Sequence, residues 1–518
     1  MIPSYYKHIV TRLAIGGLLL VAWFLLLSGA PQMARADAGD LFVSPAGSGD
    51  GSQGNPCDLQ TALGMASDGD TIYIAGGVYT GSGGAVVTVT HSLTLYGGWD
   101  GATTTPPVRD PDAHPTTMDG EGERRGVYVS GDVAVTLEGF TVTNGVASIQ
   151  GAGLYANDAH LTLRGMTFHS NIISTTVTPA PRGGGAMVDG GTLLVEASTF
   201  RDNSVWAAIS STGGGLAISG TLTATVADSL FRDNDAWLAS GLFFWSPDDT
   251  DNAPLTIRGS RFVDNGRGNS PGLASGSYHG AMVIINANAR LEDNVVEHNE
   301  AGHGRGAIGI YYSDLWMARN VLSGNTSHHD AAGLYLYDLT SPFTLTNNVI
   351  VDNQSTDDWT VHPCVHIRGS DGQMLHNTIA GNDNTCGIRI DNGATVALTS
   401  TILVSHTTGI NITAGSTATL EGTLWGSGSW ANGTDWSGDG DILTGTVNIW
   451  GDPAFVNPDG GEYHIGLGSA ARNAGVDAGV IADIDGDARP QESGCDIGAD
   501  EFCLQWDLYL PLVVKSFP

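Results

Sequence analysis

The sequence predicts an all-β solenoid, a parallel β-helix whose coils each contain three short strands. Three observations carry that expectation. The first is a unit that returns along the chain: LTLRGMTFHSN (161–171), LLVEASTFRDN (193–203), LTATVADSLFRDN (222–234) and LTIRGSRFVDN (255–265), with weaker copies closing at Asn299, Asn325, Asn353 and Asn382. From Asn203 onward the closing Asn residues stand 31, 31, 34, 26, 28 and 29 positions apart, a period typical of repeat architectures. The second is composition. With 73 glycines, no Gly-X-Y period and 41% hydrophobic content, the chain suits many short strands joined by tight turns and excludes collagen and wholesale disorder. The third is the short alternation that follows each Gly-rich turn, as in GGGAMV, GGGLAI, HGAMVI, RGAIGI, AAGLYL and CGIRI, which buries every second side chain of a strand.

Residues 1–36 read as a cleaved secretory signal. Lys7 and Arg12 give a basic start, Leu13 to Leu27 is apolar, and Ala34-Arg35-Ala36 is a small-x-small cleavage site. An apolar run of 15 residues is short for a membrane span. Removing the segment moves the formal net charge from −33 to −36. Such a surface repels phosphate backbones, so nucleic acid is excluded as a partner, while divalent cations are attracted.

Residues 37–125 are expected to hold an N-terminal cap and the first coils. Asp58 can N-cap a short helix through about Ala66, placed to cover the open first rung, and Thr71 to Ile74 alternates as a strand. Trp99 to Thr117, rich in Pro and Asp, reads as a loop. Residues 126–450 hold the repeats. In each coil a second strand follows the first (TLLVEA, PLTIRG), and a third carries Phe168, Phe200, Phe231 or Phe262 three residues before its Asn. The phenylalanines are expected to stack. The Asn column is assigned to turns that need a left-handed residue, with amides bonding up the column. Gly153, Gly185 and Gly215 are assigned to turns as well. Asp202, Asp233 and Asp264 should stack in one column, with Arg201 and Arg232 relieving their repulsion. Residues 451–503 are expected to cover the last coil. The tail, 504–518, has too few apolar residues to span a membrane and reads as a last strand or a sorting signal. Cys364 and Cys386, on adjacent rungs and offset by one residue, are expected to pair, as are Cys495 and Cys503; Cys57 is left over.

VSPAGSGDG, DGDTIYIAGGVY, LYGGWDG and RDPDAHPTTMDGEGERRGVYVSG, together with the later Gly-Gly-Gly starts and Asn ends, resemble secreted bacterial right-handed parallel β-helix proteins of pectin-lyase-like architecture. The segment DPAFVNPDGG to CDIGADEF is similar to the closing segment of the same group. The resemblance covers about residues 40 to 503. It implies a right-handed, single-stranded solenoid with capping segments at both ends. It implies no single activity, because the architecture hosts pectate lyases, polygalacturonases and non-catalytic surface proteins alike.

Two chemistries bear on the site. A lyase acting on uronic sugars needs a base and a cation; after the leader the chain has one lysine, Lys515, so the base would be His, Tyr or Arg. A hydrolase needs two carboxyls about 5 to 10 Å apart. Gly302-His303-Gly304 is similar to the Gly-His-Gly of polygalacturonases, but the sequence departs from the rest of that pattern: Asp248-Asp249 lies 54 residues upstream, and Arg389-Ile390-Asp391 lacks the following Lys. A wider constellation precedes the glycines of consecutive rungs: Tyr278-His279, His303 with Arg305, His328-His329-Asp330, and His362 near His366. At about 4.8 Å per rung these would share one edge, as a catalytic strip or a metal site. Trp206, Trp237, Trp245, Tyr312 and Trp359 are candidates for stacking on sugar rings. Asp483, Asp485 and Asp487 begin like a calcium loop, although Ala488 and Gly494 stand where its Gly and Glu belong. The expectation is therefore an extracellular or cell-surface protein with a non-catalytic carbohydrate-binding or surface/adhesion role, its partner a polysaccharide or a cell-surface glycan. The alternative is a polysaccharide lyase or glycoside hydrolase acting on acidic polysaccharide. Calcium is the one cofactor suggested, and the oligomeric state is left open.

Overall fold

The computed structural model describes residues 39–175, 180–206, 211–247, 252–266, 278–302, 305–355, 363–382 and 386–503. Three long parallel sheets run along the body, each strand pairing with its equivalent one coil away. Among the described residues, sheet 1 has fifteen strands (Asp40–Val43 to Asp441–Thr444), sheet 2 thirteen (Ala85–Val89 to Thr434–Ser437) and sheet 3 fourteen (Gly77–Tyr79 to Asn448–Ile449). A coil visits sheets 2, 1 and 3 in turn, as in Leu154–Asn157, His160–Arg164 and Thr167–His169. The leader and the tail lie outside the described residues.

Alternation decides what is inside. In sheet 2, Leu216 and Ile218 pair with Leu242 and Phe244 of the next coil, and all four are fully buried. Phe168, Phe200, Phe231 and Phe262 form one stack, with successive ring centroids 4.9, 4.8 and 4.6 Å apart. Each such ring stabilises the fold by roughly 1.5–3 kcal/mol through burial. Outside that stack Arg201 pairs with Asp202 at 2.7 Å and Arg232 with Asp233 at 3.1 Å, as expected of the acidic column.

The Asn column works differently from the turn role expected of it. The left-handed residue is the one before each Asn: Asp202, Asp233 and Asp264 have φ of 54°, 52° and 56°. The Asn itself points inward. Asn234 Nδ2 donates to Asn265 Oδ1 at 3.0 Å and to the Phe200 carbonyl at 2.8 Å, and its backbone N–H donates to the same Asn265 Oδ1 at 3.1 Å. The ladder runs from Asn171 to Asn382 and ends on His406. A second ladder, not anticipated, stands at the turn between sheets 1 and 3: Ser198, Ser229 and Ser260, then Asn294, Asn320, Asn348 and Asn377. Gly153, Gly185 and Gly215 are held by close approach rather than by a left-handed turn: a Cβ at Gly185 would stand 2.4 Å from the Gly215 carbonyl and 3.0 Å from the Asn203 amide.

Helix α1 (Leu59–Met65) is N-capped by Asp58, which accepts the Thr61 N–H at 2.9 Å. Its Leu59 and Ala62 are buried in the solenoid core beside the first strands of sheets 1 and 2. The C-terminal segment packs on Leu424 and Ile449 of the last coils and reaches back along the solenoid. It lies on the outer face of sheet 3, where Phe455, Tyr463, Ile465, Ala471, Ile497 and Ala499 pack on Val349, Val351, Ala380, Ile402 and Val404. His376 reaches the Asp496 carbonyl (3.1 Å) and Thr378 accepts the Ala499 N–H (3.0 Å). The buried pair Arg489–Glu501, 2.7 Å apart, ties the segment together.

The disulfide expectation is also corrected: Cys57, Cys364, Cys386, Cys495 and Cys503 are all free thiols. A one-residue offset turns strand side chains to opposite sides. Cys364 Sγ stands beside Gly333 and Ile350, while the Cys386 thiol donates to the Ile388 carbonyl at 3.2 Å. Between Cys495 and Cys503 the chain is closed by carboxylates instead, with Asp496 accepting the Phe502 and Asn473 N–H groups and Glu501 accepting that of Asp496.

Candidate functional site

The outer face of sheet 2 changes character along the solenoid. One outward column reads Met187, Ala217, Phe243, Val283, Gly309, Tyr335, His366, Arg389; its neighbour reads Asp189, Ser219, Trp245, Ile285, Tyr311, Tyr337, Arg368, Asp391. These columns exist because the inward residues alternate with them: Leu334 and Leu336, Val365 and Ile367, Ile388 and Ile390 are all fully buried. The apolar part is an outer cluster of Met187, Ala217, Ala239, Phe243 and Val283. Beyond it come the tyrosines and then the charges.

At the charged end His366 lies between two carboxylates, with Nδ1 2.9 Å from Asp330 Oδ1 and Nε2 3.1 Å from Asp391 Oδ2. Burial opposes charge on this imidazole, but the bonds to Asp330 and Asp391 outweigh it and raise its pKa. Burial likewise works against ionisation of both carboxyls, and the hydrogen bonds from His366 reverse it, so both sit below the usual carboxylate range. Three guanidinium groups surround them. Arg305 is 3.6 Å from Asp330 and lies over the Tyr335 ring at 4.8 Å. Arg389 and Arg368 approach Asp391 at 3.2 and 3.6 Å. Three arginines against two carboxylates make this patch positive on a chain of formal charge −33.

At the aromatic end His279 Nε2 stands 2.8 Å from the Tyr311 hydroxyl. Burial, with Arg305 adding to it, pushes the His279 pKa down to about 3, so the ring is neutral. Tyr311 touches Tyr335 and Tyr337 (5.6 and 5.8 Å between centroids), and Tyr312 meets Tyr337 edge-on at 5.5 Å. Tyr312 and the Arg368 side chain are exposed at 45% and 42%, which leaves them open to a ligand.

The predicted edge therefore divides. His279, Arg305 and Asp330 come together on this face. His328 instead turns toward Glu300 at 3.6 Å, and His329 is exposed. His303, His362 and Trp359 lie outside the described residues. Of the predicted aromatics, Trp245 stands in the tyrosine column with Arg182 over its ring at 5.0 Å. Trp237 packs on Tyr278 at 5.2 Å, and Trp206 is exposed on a separate four-stranded sheet. His366 stood at the end of the predicted edge and joins it here, Arg389 and Asp391 were weighed only as part of a motif that lacks its Lys, and Arg368 was not predicted. Their signal was present in PCVHIR and CGIRID, where fixing Val365, Ile367, Ile388 and Ile390 inward forces them outward.

Asp483, Asp485 and Asp487 lie in an Asp-rich turn. Asp483 is fully buried and accepts the backbone N–H groups of Asp485, Asp487 and Glu501 at 2.9, 2.8 and 3.0 Å.

The model of the family described as "Right handed beta helix region" matches residues 121–277 and 250–424. Similar solved structures include the pectate lyase Pel9A, 13% identical over 91% of this chain and 98% of that one, with a TM-score of 0.36. An alginate lyase from Paenibacillus sp. str. FPU-7 is 13% identical over 79% and 99%, with a TM-score of 0.23. The A-module of the Azotobacter vinelandii mannuronan C-5 epimerase AlgE6 is 12% identical over 75% and 93%, with a TM-score of 0.30. No curated protein matches the chain. Among the described residues no helix is long and apolar enough to cross a membrane.

Proposed function

We propose, for a chain that belongs to the right handed beta helix region family, that it binds an acidic polysaccharide outside the cell, on the outer face of sheet 2, without transforming it. The observation that carries this reading is the juxtaposition of Tyr312, Tyr337 and Arg368 with the His366 network. Tyrosine faces suit the apolar faces of sugar rings, and exposed guanidinium groups suit uronate carboxylates. An anionic glycan would find there a locally positive patch on an otherwise repelling surface. The leader-like residues 1–36 support an extracellular setting.

The same geometry disfavours acid–base catalysis by the network. A general acid needs a carboxyl that holds its proton near neutral pH, yet Asp330 and Asp391 are both held below their ordinary range. His366 has both nitrogens committed. One contact bears on the lyase reading: a neutral imidazole, His279, stands against the Tyr311 hydroxyl, whose pKa burial raises. Incubation of the purified protein with Ca²⁺ and a panel of uronic-acid and neutral polysaccharides separates the two. Retention of an acidic glycan with no new reducing ends and no unsaturated product is the expected result. Products that vanish in Tyr311→Phe would establish the lyase instead.

A further inference from the structure

A second constellation lies away from that face, in the C-terminal segment. His464 stands on the strand Glu462–Ile465, Asp485 in the Asp-rich turn and Asp500 in the closing stretch; one ligand atom from each lies within 4.8 Å of the other two. Among the described residues no other group of three His, Cys, Asp or Glu side chains converges in this way. We propose that His464, Asp485 and Asp500 form a binding site for a divalent transition-metal ion of the zinc class.

Four features argue for it. The ligand set mixes an imidazole nitrogen with carboxylate oxygens, which suits Zn²⁺ better than the all-oxygen preference of Ca²⁺. Glu462 Oε1 lies 3.1 Å from His464 Nδ1; a carboxylate behind a ligating histidine fixes the ring and presents the far nitrogen, the usual support for metal-bound imidazole. Asp500 is 5% exposed, its Oδ2 accepts the Ile465 N–H at 2.7 Å, and no other hydrogen bond to it forms among the described residues. A buried carboxylate with one oxygen not engaged in a hydrogen bond is stabilised by a cation placed beside it. Three carboxylates, Glu462, Asp485 and Asp500, gather around one imidazole. Exposed Asp485 leaves a route for entry. His464 Nε2 and Asp485 Oδ2, now 2.7 Å apart, share a hydrogen-bonded proton that an ion would replace after a small separation of the two groups. The ion would join three stretches of the segment that lies on sheet 3.

The test is calorimetric titration of the EDTA-stripped full chain with Zn²⁺ and, separately, Ca²⁺, together with thermal melts. One Zn²⁺ per chain, a higher Tm with Zn²⁺ than with Ca²⁺, and loss of both effects in Asp485→Asn are expected. Asp485 is exposed, so that variant tests the site without emptying the core. Glu462→Gln should fold normally and weaken Zn²⁺ about 10- to 100-fold. Absence of a stoichiometric Zn²⁺ site, equal response to Ca²⁺, or Zn²⁺ binding unchanged in both Asp485→Asn and His464→Ala would overturn the proposal.

Discussion

His366 Nε2 lies 3.1 Å from Asp391 Oδ2, although the two residues are 25 positions apart. Coil stacking makes the contact: His366 pairs with Arg389 in register, and Asp391 follows two residues later on the same outer face. Because the pair is buried and also faces Asp330, removing the imidazole takes the closest partner from two carboxylates and leaves them only their arginines. His366→Ala is expected to destabilise the chain by about 3–5 kcal/mol, in the range for breaking a buried ion pair, and urea unfolding checks it. Asp391→Asn keeps the shape and one acceptor, and should be milder.

Asn265 and Asp264 separate the two accounts of the ladder. If the Asn were present for its left-handed tolerance, Asn265→Gly would be harmless. In the structure Asp264 holds φ of 56°, and Asn265 supplies the acceptor for Asn234 and a donor to the Phe231 carbonyl. Asn265→Gly is therefore expected to lose about 2–5 kcal/mol, at roughly 1–3 kcal/mol for each stranded buried group. Asp264→Gly should stay within about 0.5 kcal/mol.

Acid should unfold the solenoid earlier than its carboxylates alone would require. Burial depresses His376 to about 3, with Arg489 adding to it, and His406 to about 4; His279, described above, sits at about 3. A base whose folded pKa lies below its unfolded value gives stability that is present above that unfolded value, 6.5 here, and is lost as pH falls toward the folded one. Each ring should contribute a slope of about 1.4 kcal/mol per pH unit in that window. Urea midpoints at pH 7, 5.5 and 4.5 test this, and His406→Asn, which can still bond to the Asn382 and Asn432 amides, should flatten the dependence.

The coil pattern was legible because alternation and period are written in the residues themselves: Phe200 and Asn203 announce their column without any tertiary knowledge. The flank was not read, although VIV (349–351) and ILV (402–404) break the alternation and so mark strands covered on both faces. The site was legible by halves. Arg305, Asp330 and His279 were found as an edge, but His366 and Asp391 come together only once the inward register is fixed. Disulfides were overread because proximity of rungs was weighed without the direction of the side chains.

That flank predicts its own phenotype. Arg489→Met removes the partner of Glu501, where both side chains are essentially inaccessible. The closing segment is expected to loosen before the solenoid does, with protease cleavage between residues 451 and 503 at denaturant concentrations that leave the coils intact. Simultaneous loss of both would show that the segment and the solenoid unfold as one unit.

The central claim rests on glycan recognition by the outer face of sheet 2. Affinity electrophoresis of the full chain through gels containing acidic or neutral polysaccharide, repeated for Tyr337→Ala and Arg368→Ala, measures it directly. Retardation by an acidic polysaccharide, weakened about tenfold in Arg368→Ala and in Tyr337→Ala and screened by salt, is the predicted result. Equal mobility in every gel, or retardation that both variants leave unchanged, would contradict it.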